Sequence, residues 1–260
     1  MTASVARSLI HISDDIELTF YTAPLRAPPS INTMEDADLS TTAVLNGLGL
    51  ISSKPFQRSP LPDPIEHYAA IIVGCYSPHP LVPALRTALR SHPTYPSVPV
   101  IAGIFESSLY AALQLGSTFG IVTTGTQWED IMMKGIPEPG GVVGSRCVGV
   151  RGTGIGVLEL ESGGDGAKEM NCTDYADNVD RMYRILLGKA LELIACGAEV
   201  ILLGCAGMSL WRERIQTGVW DALQVQSRKL GQERAVYVPV VDGVKAAIEQ
   251  AAAMCRMNKV

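Results

Sequence analysis

The apolar positions of this chain fall into two kinds of run, and their alternation sets the expected fold. Short aliphatic runs bounded by glycine, Ala70-Ile-Ile-Val-Gly74 and Val200-Ile-Leu-Leu-Gly204, read as strands buried on both faces. Phe119-Gly-Ile-Val-Thr-Thr124, Cys147-Val-Gly-Val-Arg151 and residues 235–241 have the same character. Ile16 to Thr22 alternates and is rich in β-formers, so it too reads as a strand. Elsewhere the apolar spacing changes to three and four. Val179, Met182, Tyr183, Leu186, Leu187, Ala190, Leu193 and Ile194 form one stripe and predict a long helix over 175–196. Shorter helices are expected over 1–12, 37–50, 106–115, 128–134, 211–230 and 244–257. Ser77-Pro78 has the form of a helix start, and Ser209 that of a helix cap. Residues 24–32, 54–64, 91–99 and 137–144, rich in proline or glycine, are expected as loops. Strands alternating with helices through short links predict parallel sheets in an α/β fold.

Two of these strands head a longer repeat. Gly74-Cys75 is followed by a helical stretch and then by Val98-Pro-Val-Ile-Ala-Gly103. Gly204-Cys205 is followed by a helical stretch and then by Val238-Pro-Val-Val-Asp-Gly243. A cysteine after a strand-terminal glycine is ordinarily a structural thiol. The duplicated context instead suggests two similar α/β halves, each delivering a thiol at the carboxyl end of a strand, where ligands collect in open sheets.

Composition narrows the function classes. A chain of 260 residues, 47% hydrophobic, can bury a core of one large or two small domains. A net charge of −5 and few aromatics argue against nucleic acid and anionic membrane as partners. No apolar run has the length of a membrane span. Six scattered cysteines without a Cys-x-x-Cys suit free thiols in a reducing, cytoplasmic setting. The four histidines do not pair with one another or with cysteine at ligand spacings, so no metal site is expected. Gly152-Thr-Gly-Ile-Gly156 superficially matches a dinucleotide fingerprint. The residues after it are too short and too glycine-rich to supply the helix that would meet a pyrophosphate, and that reading is rejected.

Two cysteines at strand ends have four chemical uses. Redox pairs usually sit two residues apart, which these do not, and metal binding wants further Cys or His nearby. A lone nucleophile needs a histidine base; His79 lies close to Cys75, with nothing evident to orient it. The fourth use is proton transfer, in which one thiolate removes a proton from a carbon acid and the opposite thiol reprotonates the other face. The ordinary cysteine pKa, about 8.5, lies near working pH, and strand-end amides or a helix N-terminus suffice to lower it, although the sequence does not set the pKa of either thiol. Backbone N–H groups and hydroxyls such as Ser77, Thr123 and Thr124 would stabilise the enolate-like oxyanion.

These motifs resemble the aspartate/glutamate/hydantoin racemase superfamily in its hydantoin and allantoin racemase branch. The resemblance is carried by Thr22-Ala-Pro with Pro29-Ser-Ile31, Gly74-Cys75-Tyr-Ser-Pro-His-Pro80, Gly103-Ile-Phe-Glu106-Ser and Phe119-Gly-Ile-Val-Thr-Thr124. Leu203-Gly-Cys-Ala-Gly-Met208 and Val241-Asp-Gly-Val244 extend it across nearly the whole chain. It implies two parallel-sheet α/β domains related by a pseudo-twofold: 1–102 with 241–260, carrying Cys75, and 103–240, carrying Cys205. It also implies Cys75 and Cys205 as acid and base across the cleft, without a cofactor, acting on a small molecule such as a 5-substituted hydantoin or allantoin. Ser77, Thr123, Thr124, Ala206, Gly207, Ser30 and Ile31 would hold substrate, and Tyr76, Glu106 and Asp242 would support the site. Closed symmetric assemblies are common for enzymes of this size, so a homo-oligomer is one outcome of an oligomeric state the sequence leaves open. The branch usually opens with a strand ending in Asn-Pro-Asn, which is not found ahead of Thr2. Either the start site is set too late or this is a shortened form. As written, the departure predicts a first domain short of one strand, with reduced stability and weak or absent turnover, and an alternative role in binding a ligand without converting it.

Overall fold

A computed structural model of the chain describes residues 13–51, 65–91, 98–136, 141, 143–161 and 172–258. The expected helix over 1–12 and the expected loop over 54–64 lie outside the described residues, as do parts of the loops expected over 91–99 and 137–144.

The described chain forms two parallel sheets flanked by helices. It opens with α1 (Met34–Gly47), which is closed at its start by a reciprocal cap: Thr33 Oγ1 accepts from the Asp36 amide, and Asp36 accepts from the Thr33 amide. The first sheet pairs β1 (Ala70–Val73) with β2 (Val100–Gly103), joined through α2 (Leu81–Arg90). Next come α3 (Ile104–Leu115), β3 (Phe119–Thr123), α4 (Trp128–Gly135), β4 (Cys147–Gly152) and α5 (Val157–Glu161). Helix α6 (Cys172–Ala195) leads to β5 (Val200–Gly204), a 3-10 segment over Ala206–Trp211, α7 (Arg212–Lys229), β6 (Val240–Asp242) and α8 (Gly243–Met257). The second sheet has the order β4-β3-β5-β6, all parallel. Every residue of β3 and β5 is buried, which is why these strands carry unbroken apolar runs rather than alternation.

The repeat seen in the sequence is a repeat of elements. In each copy a strand ends in Gly-Cys, a helix follows, and a second parallel strand pairs with the first and ends beside a glycine that opens another helix. Those two closing helices, α3 and α8, pack against each other and exchange partners. Helix α3 covers β5 and β6 of the second sheet as well as its own β2, while α8 packs on β1 and β2 of the first. One apolar cluster therefore draws residues from both halves, including Tyr76, Ile104, Phe105, Leu109, Ala206 and Val244.

Several local expectations are corrected. Ile16 to Thr22 forms no ladder among the described residues. Ile16 and Leu18 pack against the shared cluster instead, so the alternation records a half-buried segment rather than a paired strand. Helix α2 starts at Leu81, not at Ser77-Pro78, because the buried His79 turns its Nδ1 to accept from the Leu81 amide at 3.2 Å. The last strand is cut to Val240–Asp242. Pro239 has no N–H for a ladder, and the free edge of β6 is occupied by a side chain. Gln216 donates from Nε2 to the Val238 carbonyl at 3.0 Å and accepts at Oε1 from the Val240 amide at 2.8 Å.

Candidate active site

The carboxyl ends of the second sheet bring several of the predicted residues into one row. The register sets Thr123 beside Gly204 on one side and Gly152 on the other, and Leu203 beside Asp242. Thr123 is fully buried, and its Oγ1 donates to the Gly204 carbonyl at 3.3 Å. This hydroxyl thus fixes the residue before Cys205. Thr124 uses its carbonyl to accept from the amides of Thr153 (2.7 Å) and Gly154 (2.8 Å), which ties the glycine-rich 152–156 segment to the same strand end. The glycines there build a turn over Thr124 and lead into the five-residue α5.

Cys205 is buried and caps the 3-10 segment in an extended conformation, its carbonyl accepting from the Met208 amide at 3.0 Å. Ala206 and Gly207 follow within that segment, both buried. Ser209 does not cap the next helix, as its position suggested. Its hydroxyl donates to Asp242 Oδ1 at 2.8 Å, and the same oxygen accepts from the Val244 amide at 2.9 Å. Asp242 therefore caps α8 and braces the segment after Cys205 with one atom. Burial pushes the Asp242 carboxyl up, with the hydrogen bonds from Ser209 and the helix amides opposing that shift.

Cys75 sits at the end of β1 against the apolar cluster of the first sheet, whereas Cys205 belongs to the cluster of the second. The sulfurs are thus carried by separate sheets, and the residues after them, Tyr76 and Ala206, meet in the shared cluster. Cys75 Sγ lies 3.6 Å from the hydroxyl of Ser77, itself 1% exposed. Burial pushes the Cys75 thiol up, and the Ser77 hydrogen bond only partly offsets it. At Cys75 desolvation outweighs the local hydrogen bond.

Tyr76 belongs to the cluster shared by both sheets. Its ring stands edge-on to Phe105, centroids 5.4 Å apart. Its hydroxyl donates to Ser108 Oγ at 2.7 Å, because the Ser108 proton is already committed to the Phe105 carbonyl at 2.7 Å. Burial pushes the Tyr76 phenol up, and the neighbouring Cys147, Glu106 and Asp242 add to the effect. Glu106, in the first turn of α3, folds over Gly103, and its Oε2 is buried without a hydrogen-bond partner. Burial pushes this carboxyl up, opposed by Arg86. Ile31 packs against the shared cluster, while the Ser30 hydroxyl faces its neighbour Asn32 at 3.5 Å among exposed groups. Ser108, Ser209 and Gly243 escaped sequence reasoning because nothing in their local context marks a long-range partner.

Among the described residues no group of three or more His, Cys, Asp or Glu could hold a metal ion, and no helix is long and apolar enough to cross a membrane.

Comparison with known proteins agrees with this architecture. A structure of allantoin racemase from Pseudomonas fluorescens superposes with a TM-score of 0.66 at 24% identity, covering 98% of this chain and 86% of that one. Glutamate racemase RacE1 from Bacillus anthracis gives 0.54 at 13% identity over 90% and 70%. Both likenesses establish the two-domain α/β fold. In sequence, an uncharacterized protein of Schizosaccharomyces pombe is 29% identical over 99% of this chain and 89% of its own length. The hydantoin racemase of Rhizobium meliloti is 30% identical over 71% and 59%. The model of the Asp/Glu/Hydantoin racemase family matches residues 1–251, and the chain belongs to that family.

Proposed function

We propose that this racemase-family protein inverts the stereocentre of a hydantoin-type ring, a 5-substituted hydantoin or allantoin, by proton transfer between Cys75 and Cys205 without a cofactor. The observation that carries the reading is the equivalence of the two cysteines. Each follows a glycine at the carboxyl end of the first strand of a structural repeat, and the residues after them enter one common cluster. Hydantoin racemases and an allantoin racemase among the relatives favour the ring class.

In the proposed reaction one thiolate takes the proton from the ring carbon. The electron pair left behind delocalises onto the adjacent carbonyl, and the opposite thiol gives its proton to the other face. One turnover exchanges the protonation states of the two sulfurs, so the site is then set for the reverse direction. The raised Cys75 thiol suits the donor role at neutral pH, with Cys205 as the base in that direction. Ser77, Thr123, Thr124, Ala206 and Gly207 are assigned to the substrate's carbonyl and amide groups, with Ser30 and Ile31 along the pocket wall. Tyr76, Glu106 and Asp242 act behind them. The working partition remains 1–102 with 241–260 against 103–240. Six scattered cysteines without a Cys-x-x-Cys suit a reducing, cytoplasmic compartment.

The test is solvent deuterium incorporation at the stereocentre of each enantiomer, with Cys75→Ser and Cys205→Ser. Each variant should lose exchange from a different enantiomer. Exchange surviving in both variants, or absent from the unaltered protein with every hydantoin tried, overturns the reading.

A further inference from the structure

The two cysteine turns belong to different sheets, so something must set them against each other. The junction of β6 and α8 touches both. Asp242 Oδ1 accepts from Ser209 Oγ at 2.8 Å, and Ser209 lies within the 3-10 segment that Cys205 opens. A helix cap alone would need only the Val244 amide, so the Ser209 bond is an additional constraint on that segment. At the next residue the contact switches to the other turn. A Cβ on Gly243 would lie 3.0 Å from Tyr76 Cε2 and 2.8 Å from the Ile104 carbonyl oxygen. The Tyr76 ring therefore seats directly on the Gly243 backbone. On its other side the ring meets Phe105, and its hydroxyl is anchored through Ser108 to the Phe105 carbonyl. Tyr76 is bonded to Cys75, so a displaced ring displaces that sulfur's turn.

We infer that Asp242 and Gly243 form a positioning device that fixes the relative placement of the two cysteine turns, Asp242 through Ser209 toward Cys205 and Gly243 through the Tyr76 ring toward Cys75. The device rests on the proton-transfer reading for its purpose but not for its geometry. Each turn is thus held by its own arm, and the two arms start from consecutive residues of one junction. Ser209, Gly243 and Ser108 are thereby positioning residues; none needs to touch the substrate.

Three variants separate the arms. Ser209→Ala removes one bond and leaves the α8 cap. Gly243→Ala pushes on the Tyr76 ring. Ser108→Ala releases the Tyr76 hydroxyl without adding volume, and serves where Gly243→Ala fails to fold. Two readouts are taken from each: the rate of solvent deuterium exchange from each enantiomer, and the rate of iodoacetamide alkylation at Cys75 and Cys205, resolved by peptide mass spectrometry. In Ser209→Ala the exchange that depends on Cys205 should fall about tenfold, in kcat rather than KM, with the Cys75-dependent exchange within about twofold. Alkylation of Cys205 should change several-fold while that of Cys75 holds, and Ser209→Thr should restore both. Gly243→Ala and Ser108→Ala should give the opposite selectivity. Equal losses in both directions would mark general destabilisation and overturn the inference, as would no change in either readout. If the unaltered protein exchanges neither enantiomer, the proton-transfer reading fails, and selective alkylation alone decides whether the device exists.

Discussion

The two Gly-Cys motifs are identical in sequence and opposite in packing, and alanine at each glycine distinguishes them. A Cβ on Gly204 would lie 2.7 Å from the Val122 carbonyl oxygen, 3.0 Å from Ile121 Cγ2 and 3.1 Å from Thr123 Cβ. Against the 3.4 Å at which ordinary contact begins, the carbonyl clash alone is roughly 0.7 Å too close. All three neighbours lie on β3, a central strand buried on both faces, so they have nowhere to retreat. Overpacking of that kind costs about 1–3 kcal/mol. For a chain of this size each kcal/mol lowers Tm by about 2–4 °C. A Cβ on Gly74 meets no atom within 4 Å, and its φ lies outside the left-handed region. Gly74→Ala should therefore leave Tm unchanged or raise it, since it stiffens the unfolded chain by about 0.4–1 kcal/mol. If the empty space beside Cys75 is where substrate lies, the same variant raises KM while the fold is intact. Differential scanning calorimetry of the two variants, followed by racemisation assays of whichever folds, makes the comparison. Equal Tm changes in Gly204→Ala and Gly74→Ala would refute the packing argument.

Three further outcomes follow from individual contacts. Ser77→Ala removes the hydrogen bond that opposes the burial-raised Cys75 thiol, so deuterium exchange initiated by Cys75 as base should need higher pH, its midpoint moving alkaline, while in the Cys205 direction the acid limb set by Cys205 stays in place. Glu106 has a carboxyl raised by burial with an unpartnered oxygen. A folded-state pKa above the unfolded one gives stability that is full below the ordinary glutamate range and declines as pH rises through the raised value. Glu106→Gln should accordingly match the parent's Tm near the acid end and exceed it increasingly toward neutrality, and a pH-independent difference would count against the burial argument. Gln216→Ala strips the free edge of β6 of two backbone hydrogen bonds; urea denaturation should show a loss of about 1–3 kcal/mol, and a loss under half of that would mean water replaces the amide without cost.

How far the sequence carried depended on whether a feature is local. β3 and β5 were legible because strands buried on both faces must be apolar throughout, and their glycine-bounded runs admit no other period. The long helix α6 was legible from its stripe. Ile16 to Thr22 was misread because alternation reports a half-buried face and says nothing of whether a neighbour supplies a ladder. Ser77 and Ser209 both have the sequence context of helix caps, and both hydroxyls turn elsewhere, to the Cys75 sulfur and the Asp242 carboxylate. A short polar side chain takes the best partner within reach, and partners from other strands are invisible along the sequence. The direction of the Cys75 thiol's shift was not legible for a related reason: favourable dipoles are local, whereas desolvation comes from the whole fold.

The exchange of helices between the sheets gives a duplicated motif one central junction rather than two. Each repeat ends in a helix that contacts both sheets rather than only its own. Helix α3 leaves the first sheet to cover β5 and β6, and α8 leaves the second to cover β1 and β2. The residues that open these helices, Ile104 beside Gly103 and Gly243 beside Asp242, are thereby brought into contact, as the approach of Gly243 to the Ile104 carbonyl records. The strand ends that precede them are carried along, and with them the turns that bear the thiols. Burial of two amphipathic helices against each other's sheets is thus the physical origin of the central junction. On this view loosening the α3–α8 seam should disturb both cysteine turns together, whereas loosening the Ser209–Asp242 bond should disturb one. Gln250, which donates from α8 to the Ser107 carbonyl of α3 at 2.8 Å, offers that control. Gln250→Ala should change alkylation at Cys75 and Cys205 in parallel, and a selective effect on either sulfur would refute the seam as their common support.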